Sequence, residues 1–214
     1  MTIAIPSLTR VPAHERGITI GDFLVPIRIG ERLSPRLRHF VLIVAGALLI
    51  YLTARISIPV PGNPVPITGQ TFGVLVVGGA LGLRRGFAAG GLYVLLGVVG
   101  LPFFAEGKGG LAVIWGATGG YLVGFALAAA LVGRLAELGW DRRFVGSVGA
   151  CALGSLAIYV VAVPWLAVVT GSDLAAAIGT GVVPFLPGDV LKLLLAAAVF
   201  PVAWWVVGRR PDER

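Results

Sequence analysis

Charge is what this chain has least of. Only 13% of its 214 residues are Asp, Glu, Lys or Arg, against roughly 25% in soluble domains. It has one cysteine, Cys151, within an apolar stretch, which excludes an intrachain disulfide and a cysteine metal site. Its two histidines, His14 and His39, stand near the N-terminus, so there is no His-rich metal motif and no metal is expected. There is no P-loop, so the chain is not expected to hydrolyse a nucleotide itself. No Ser–His pair is apparent, and no second carboxylate converges on Asp189, which weighs against an intramembrane enzyme. Residues 1–37 lack a continuous apolar core before a small-residue cleavage site, so they do not read as a signal peptide. Their "GITIGDFLVPIRIG" scatters apolar residues between glycines and a proline. This predicts either a segment lying on a membrane surface or a partly ordered tail. No strong internal repeat is present.

What is abundant is apolar surface: 57% of residues are hydrophobic and the mean hydropathy is +0.94. Charge is absent from 40–54, 65–83, 86–105, 109–133, 144–172 and 174–187, the last resuming over 193–208. A membrane span takes about 20 residues. The runs therefore predict an all-α integral membrane protein with six transmembrane helices over 38–208. Residues 1–37 and 209–214 are left as terminal segments.

The net charge of +7 invites a nucleic-acid reading, but the cations are placed for topology. Arg10, Arg16, Arg28, Arg32, Arg36 and Arg38 precede the first run, and Arg84 and Arg85 join the second to the third. Arg134, Arg142 and Arg143 separate the fourth from the fifth, and Arg209, Arg210 and Arg214 follow the last. Fourteen of seventeen cations thus fall on one side of a six-helix alternation. The positive-inside rule makes that side, and with it both termini, cytoplasmic. No basic face is interleaved with aromatics, so no nucleic-acid partner is expected; the bilayer is the surrounding medium. Arg55, Lys108 and Lys192 fall on the opposite side.

In "FLPGDVLKLLLAA", Asp189 and Lys192 stand three residues apart within an apolar run. They are 20 and 17 residues before Arg209, or ~30 and ~25 Å along a helix, which places them in the outer part of a ~30 Å hydrocarbon core. Spacing i, i+3 puts both on one face, and Pro184, Pro187 and Gly188 interrupt the helix just before them. A salt bridge that merely neutralises itself is a poor device for stability, because apolar replacements of such pairs are often as stable. Intramembrane charges more often line a bundle interior or a pathway.

Two other outer stretches converge on the same end. "ISIPVPGNPVPITGQTF" has four prolines that stiffen an extended loop, followed by the polar residues Thr68, Gln70 and Thr71. "FFAEGKGGLAVIWGATGGYLVGF" places Glu106 and Lys108 among glycines and carries Thr118, Gly119, Gly120 and Tyr121 into the fourth run. Each stretch also has a bland reading, as a rigid connector or a flexible turn beside close helix packing. Together with the charge pair they predict a cavity open to the outside that binds a small molecule.

In order and approximate spacing, "PVPITGQT", "GLPFF…GKGGL…GATGGYLVGF" and "FLPGDVLK" resemble the BioY family, the biotin-specific S components of energy-coupling-factor (ECF) transporters. The resemblance covers about 38–208. It implies a six-helix S-component bundle in the bacterial plasma membrane that takes up biotin from outside. It works either with an ECF coupling subunit and two ATPase subunits or alone, with biotin as cargo and no cofactor. The family's carboxylate and amine on the last helix match Asp189 and Lys192, and the tyrosine after the double glycine matches Tyr121. A carboxylate accepts from the ureido N–H groups of biotin and an ammonium donates to its carbonyl. The apolar body would lie against residues such as Phe103, Phe104, Trp115 and Tyr121. Some relatives carry Asn where this chain has Lys108 and Arg where it has Leu122, which makes Lys108 the expected partner of the biotin carboxylate. The alternatives are an S component for another small vitamin or, more remotely, an intramembrane enzyme.

Overall fold

The computed structural model describes residues 19–24 and 34–207. The expected terminal segments lie mostly outside that range. Their described part is not a bare tail. Thr19 and Ile20 are buried and lead into a short turn of helix, α1 (Gly21–Leu24). The first long helix, α2 (Pro35–Ala54), starts three residues before the expected boundary. There Ser34 Oγ accepts from Leu37 N and Pro35 takes the first turn, the position where a missing N–H is harmless.

A two-stranded antiparallel hairpin follows, β1 (Ser57–Ile58) and β2 (Ile67–Thr68), pairing Ser57 with Thr68 and Ile58 with Ile67. The remaining helices are α3 (Gln70–Val98), α4 (Leu111–Trp115), α5 (Gly119–Glu137), α6 (Phe144–Thr170), α7 (Leu174–Gly181) and α8 (Leu186–Val207). Among the described residues five helices, α2, α3, α5, α6 and α8, are long and apolar enough to cross a membrane. They expose large apolar side chains such as Leu156, Val160, Trp205 and Val206. That surface suits lipid and would be a liability in water.

The expected second and third spans are the two arms of α3. Its backbone breaks at Gly82, with φ 83° and ψ 178°, and the chain turns back on itself. A Cβ on Gly86 would stand only 3.1 Å from Gly78 Cα, and the Gln70 side chain reaches the Tyr93 hydroxyl 23 residues on. Neither is possible in a straight helix. The arm 70–81 is only ~18 Å long at 1.5 Å per residue, because residues 65–69 of the expected span go to β2 and its turn. Gly78 and Gly90 bring α3 against Ala129 and Ala126 of α5, where any Cβ would collide with backbone. Small residues permit such close approach between apolar helices.

The described arginines other than Arg55 gather at one end of the bundle. There Asp22 of α1 pairs with Arg85 at 2.8 Å and with Arg38. Burial would raise the Asp22 carboxyl, but the Thr19 N–H and Arg85 outweigh it and hold it below the usual carboxylate range. Between α5 and α6, Asp141 accepts from Trp204 Nε1 at 2.7 Å, and the Arg142 guanidinium lies 3.5 Å over the Trp204 ring. Burial pushes Asp141 up to about 6 against the pull of Arg142.

Candidate functional site

At the opposite end, the hairpin loop and the segment after α3 fold over the helix ends. The prolines keep the loop extended, and Asn63 fastens it: its Nδ2 donates to Thr180 O at the end of α7 at 2.7 Å, while its Oδ1 accepts from Val65 N. Beneath Pro64, Val65 and Pro66 lies a cavity of about 230 Å³.

Its walls come from separate elements. Thr68 enters from β2 and Gln70 from the start of α3, Phe104, Glu106 and Lys108 from the following loop, and Thr118, Tyr121 and Phe125 from around the start of α5. Thr68 Oγ1 donates to Gln70 Oε1 at 2.8 Å, and Gln70 Nε2 donates to the Tyr93 hydroxyl. The Gln70 amide is thus fixed before any ligand meets it. Tyr121 donates to Gly181 O at 2.6 Å, which ties the cavity wall to α7. At the rim Lys108 Nζ is 2.5 Å from Glu106 Oε2. Glu106 holds φ 59°, the only positive φ outside glycine among the described residues. Arg55 stands beside Gly107 between them. Two of the three cations that depart from the arginine-rich end therefore meet at this rim.

The third, Lys192, is one layer away. Its Nζ donates to Asp189 Oδ1 at 2.7 Å and to Thr71 Oγ1 at 3.3 Å. The Tyr159 hydroxyl donates to Asp189 Oδ2. Asp189 lies in the first turn of α8 and is buried. The expected irregular backbone is confined to the turn before α8. Leu186 and Pro187 are already helical, because proline is tolerated where the helix N–H would be unpaired. The Tyr121 and Tyr159 rings meet edge to face, with centroids 6.4 Å apart, and so link the charge pair to the cavity wall.

The expected residues therefore divide. Thr68, Gln70, Lys108, Thr118 and Tyr121 line the cavity; Asp189 and Lys192 lie behind its tyrosine wall. Phe103 stacks on Tyr51 at 4.5 Å instead of lining the space, and Phe104 lines it. Trp115 stacks on Trp165 and is mostly exposed. Gly119 and Gly120 serve helix packing: a Cβ on Gly120 would stand 2.9 Å from Ala162 Cα. Sequence reasoning missed Tyr159 and Tyr93. Each sits in an uncharged run where nothing distinguishes it from a packing aromatic.

The model of one family, the BioY family, matches residues 28–209. The chain belongs to the BioY family. A BioY biotin transporter of Thermotoga maritima is 40% identical over 158 residues, covering 74% of this chain and 92% of that protein. The BioY of Rhizobium etli is 37% identical over 71% of this chain and 84% of its own length. Among solved structures, the S-component for biotin from an ECF-type ABC transporter matches with a TM-score of 0.73 at 25% identity. That match covers 79% of this chain and 93% of the other. This BioY chain is thus a predominantly helical, multi-pass membrane protein with an S-component-like bundle, and its relatives are transporters, not enzymes.

Proposed function

We propose that this chain is the biotin-capturing subunit of a biotin uptake system, with its cavity end facing outside and its arginine-rich end in the cytoplasm of a bacterial plasma membrane. The observation that carries this is the cavity under the proline loop, backed by the buried Asp189–Lys192 pair, in a BioY chain with the bundle of a biotin S-component. Biotin is the cargo and no cofactor takes part. A coupling subunit and two ATPase subunits supply the energy, since the chain carries no P-loop of its own. The test is thermal unfolding of the purified protein with and without biotin. A ligand that binds only the folded state raises the unfolding temperature by mass action. The expected result is a saturable shift with biotin; a shift with another vitamin and none with biotin would sink the assignment.

Lys108 is the residue proposed to hold the biotin carboxylate. It stands at the rim, half paired with Glu106 and open to water. The contact should therefore be worth about 1–2 kcal/mol, as for a hydrogen bond to a charged group. Biotinamide lacks the negative charge. Wild type is expected to prefer biotin over biotinamide, and Lys108→Ala to narrow that preference. An equal ratio in both proteins would make Lys108 a surface charge only.

A further inference from the structure

The arginine-rich end has a cavity of its own. It measures about 600 Å³ and lies between α1, α2, the tip of the α3 hairpin and the end of α5. That volume is within the ~300–1,000 Å³ of small-molecule sites. Three guanidiniums line it, Arg84, Arg85 and Arg134, together with His39 and the apolar Ile43, Leu81 and Leu83.

Its two carboxylates are each paired with one of these guanidiniums, which leaves the third, Arg84, over. Asp22 accepts from Thr19 N and Oγ1 and from Arg85. Glu137 Oε1 accepts from Leu83 N, the first amide after the Gly82 break, while its Oε2 pairs with Arg134 at 3.2 Å. Arg84 makes no hydrogen bond or ion pair among the described residues, and it is exposed. The cavity therefore offers more guanidinium donors than its own acids consume. It has apolar walls as well, at the depth where the helices leave the membrane.

Below Arg84, the outward face of the arm 83–98 continues as Phe87, Gly91 and Leu95, at helical spacing. Phe87 and Leu95 are exposed, and a Cβ on Gly91 would meet nothing within 4 Å. A cation at the interface above an apolar strip with a shallow notch suits a molecule with an anionic head and a hydrocarbon tail. Basic pockets between transmembrane helices on the cytoplasmic side commonly take anionic lipid headgroups, and arginine forks suit phosphate oxygens.

We propose that this cavity is a binding site for the phosphate headgroup of an anionic phospholipid of the adjoining leaflet, with Arg84 and Arg134 as its main donors and the Phe87–Leu95 strip as the bed of an acyl chain. The site is separate from the biotin cavity at the other end of the bundle.

The experiment is native mass spectrometry of the protein released from bilayers that mix phosphatidylglycerol with phosphatidylcholine. Wild type is expected to retain phosphatidylglycerol in preference to phosphatidylcholine, less so as salt rises. Arg84→Ala should reduce that preference about fivefold, the effect of one surface cation near anionic lipid. Arg143→Ala, which removes a charge from the same end but outside the cavity, should not. Arg84 is exposed, so its replacement should leave the unfolding profile in neutral detergent unchanged, and that profile checks the fold. Equal retention of the two lipids, or loss of preference in both variants alike, would overturn the site. Displacement of the lipid by millimolar inorganic phosphate would show a free-anion site and overturn the lipid assignment.

Discussion

Asp189→Asn is expected to weaken biotin binding by roughly 30- to several-thousand-fold, the equivalent of about 2–5 kcal/mol for removing one partner of a buried hydrogen-bonded charge pair. Asp189 receives Lys192, Thr71 and Tyr159 in a buried setting, so its charge orients three donors from three helices. The amide keeps the shape but leaves the Lys192 ammonium without its counter-charge, and it offers one acceptor where the carboxylate offers two. Lys192→Met should weaken biotin similarly from the other side, leaving Asp189 held by hydroxyls alone. In the binding mode that the BioY resemblance implies, the ureido N–H groups would meet Asp189 and the ureido carbonyl would meet Lys192. Calorimetry decides the matter. Unchanged affinity in both variants, with the fold intact, would make the pair a structural salt bridge and confine the ligand to the cavity under the proline loop.

Much of this architecture is legible from charge placement. Charges are so rare in an apolar chain that each one marks a boundary or a site. The arginines bracket the helix ends, and Asp189, Lys192, Glu106 and Lys108 form two ion pairs at the opposite end. Uncharged residues give no such signal. Val65–Gly69 is as apolar as the helix it precedes, and only hairpin pairing shows that it is not part of a span. Tyr159 looks like any aromatic in a membrane helix until the fold brings its hydroxyl to Asp189 across 30 residues. Gly119 and Gly120 carry the opposite lesson. Their motif identifies the family, yet their place is in packing, Gly119 against the Ile114 backbone of α4 and Gly120 against Ala162 and Trp165 of α6, and they hold Tyr121 at the cavity by letting the helices close. The division of the expected site into a cavity and a charge pair behind it also had no sequence signal, because it depends on where two tyrosine rings meet.

The α3 hairpin is the element whose disruption should cost the fold most directly. Gly82 has φ 83° and ψ 178°, a region that is essentially closed to side chains and costs of order 1–3 kcal/mol for a residue held there. A Cβ at this position would also stand 2.7 Å from Glu137 Oε1 and 2.9 Å from Thr19 Cγ2. It would push on the carboxylate that caps Leu83 N and on the N-terminal segment packed over the turn. Gly82→Ala is therefore expected to destabilise the protein by at least about 1–3 kcal/mol, read as a lower unfolding temperature in detergent. Gly91→Ala is the matched comparison. It is helical, it faces open space, and alanine is favoured over glycine in a helix by about 1 kcal/mol, so it should unfold at the same temperature or slightly higher. If Gly82→Ala is as stable as Gly91→Ala, the chain does not need a glycine to reverse at the arginine-rich end, and the two arms of α3 are held together by packing against α5 alone.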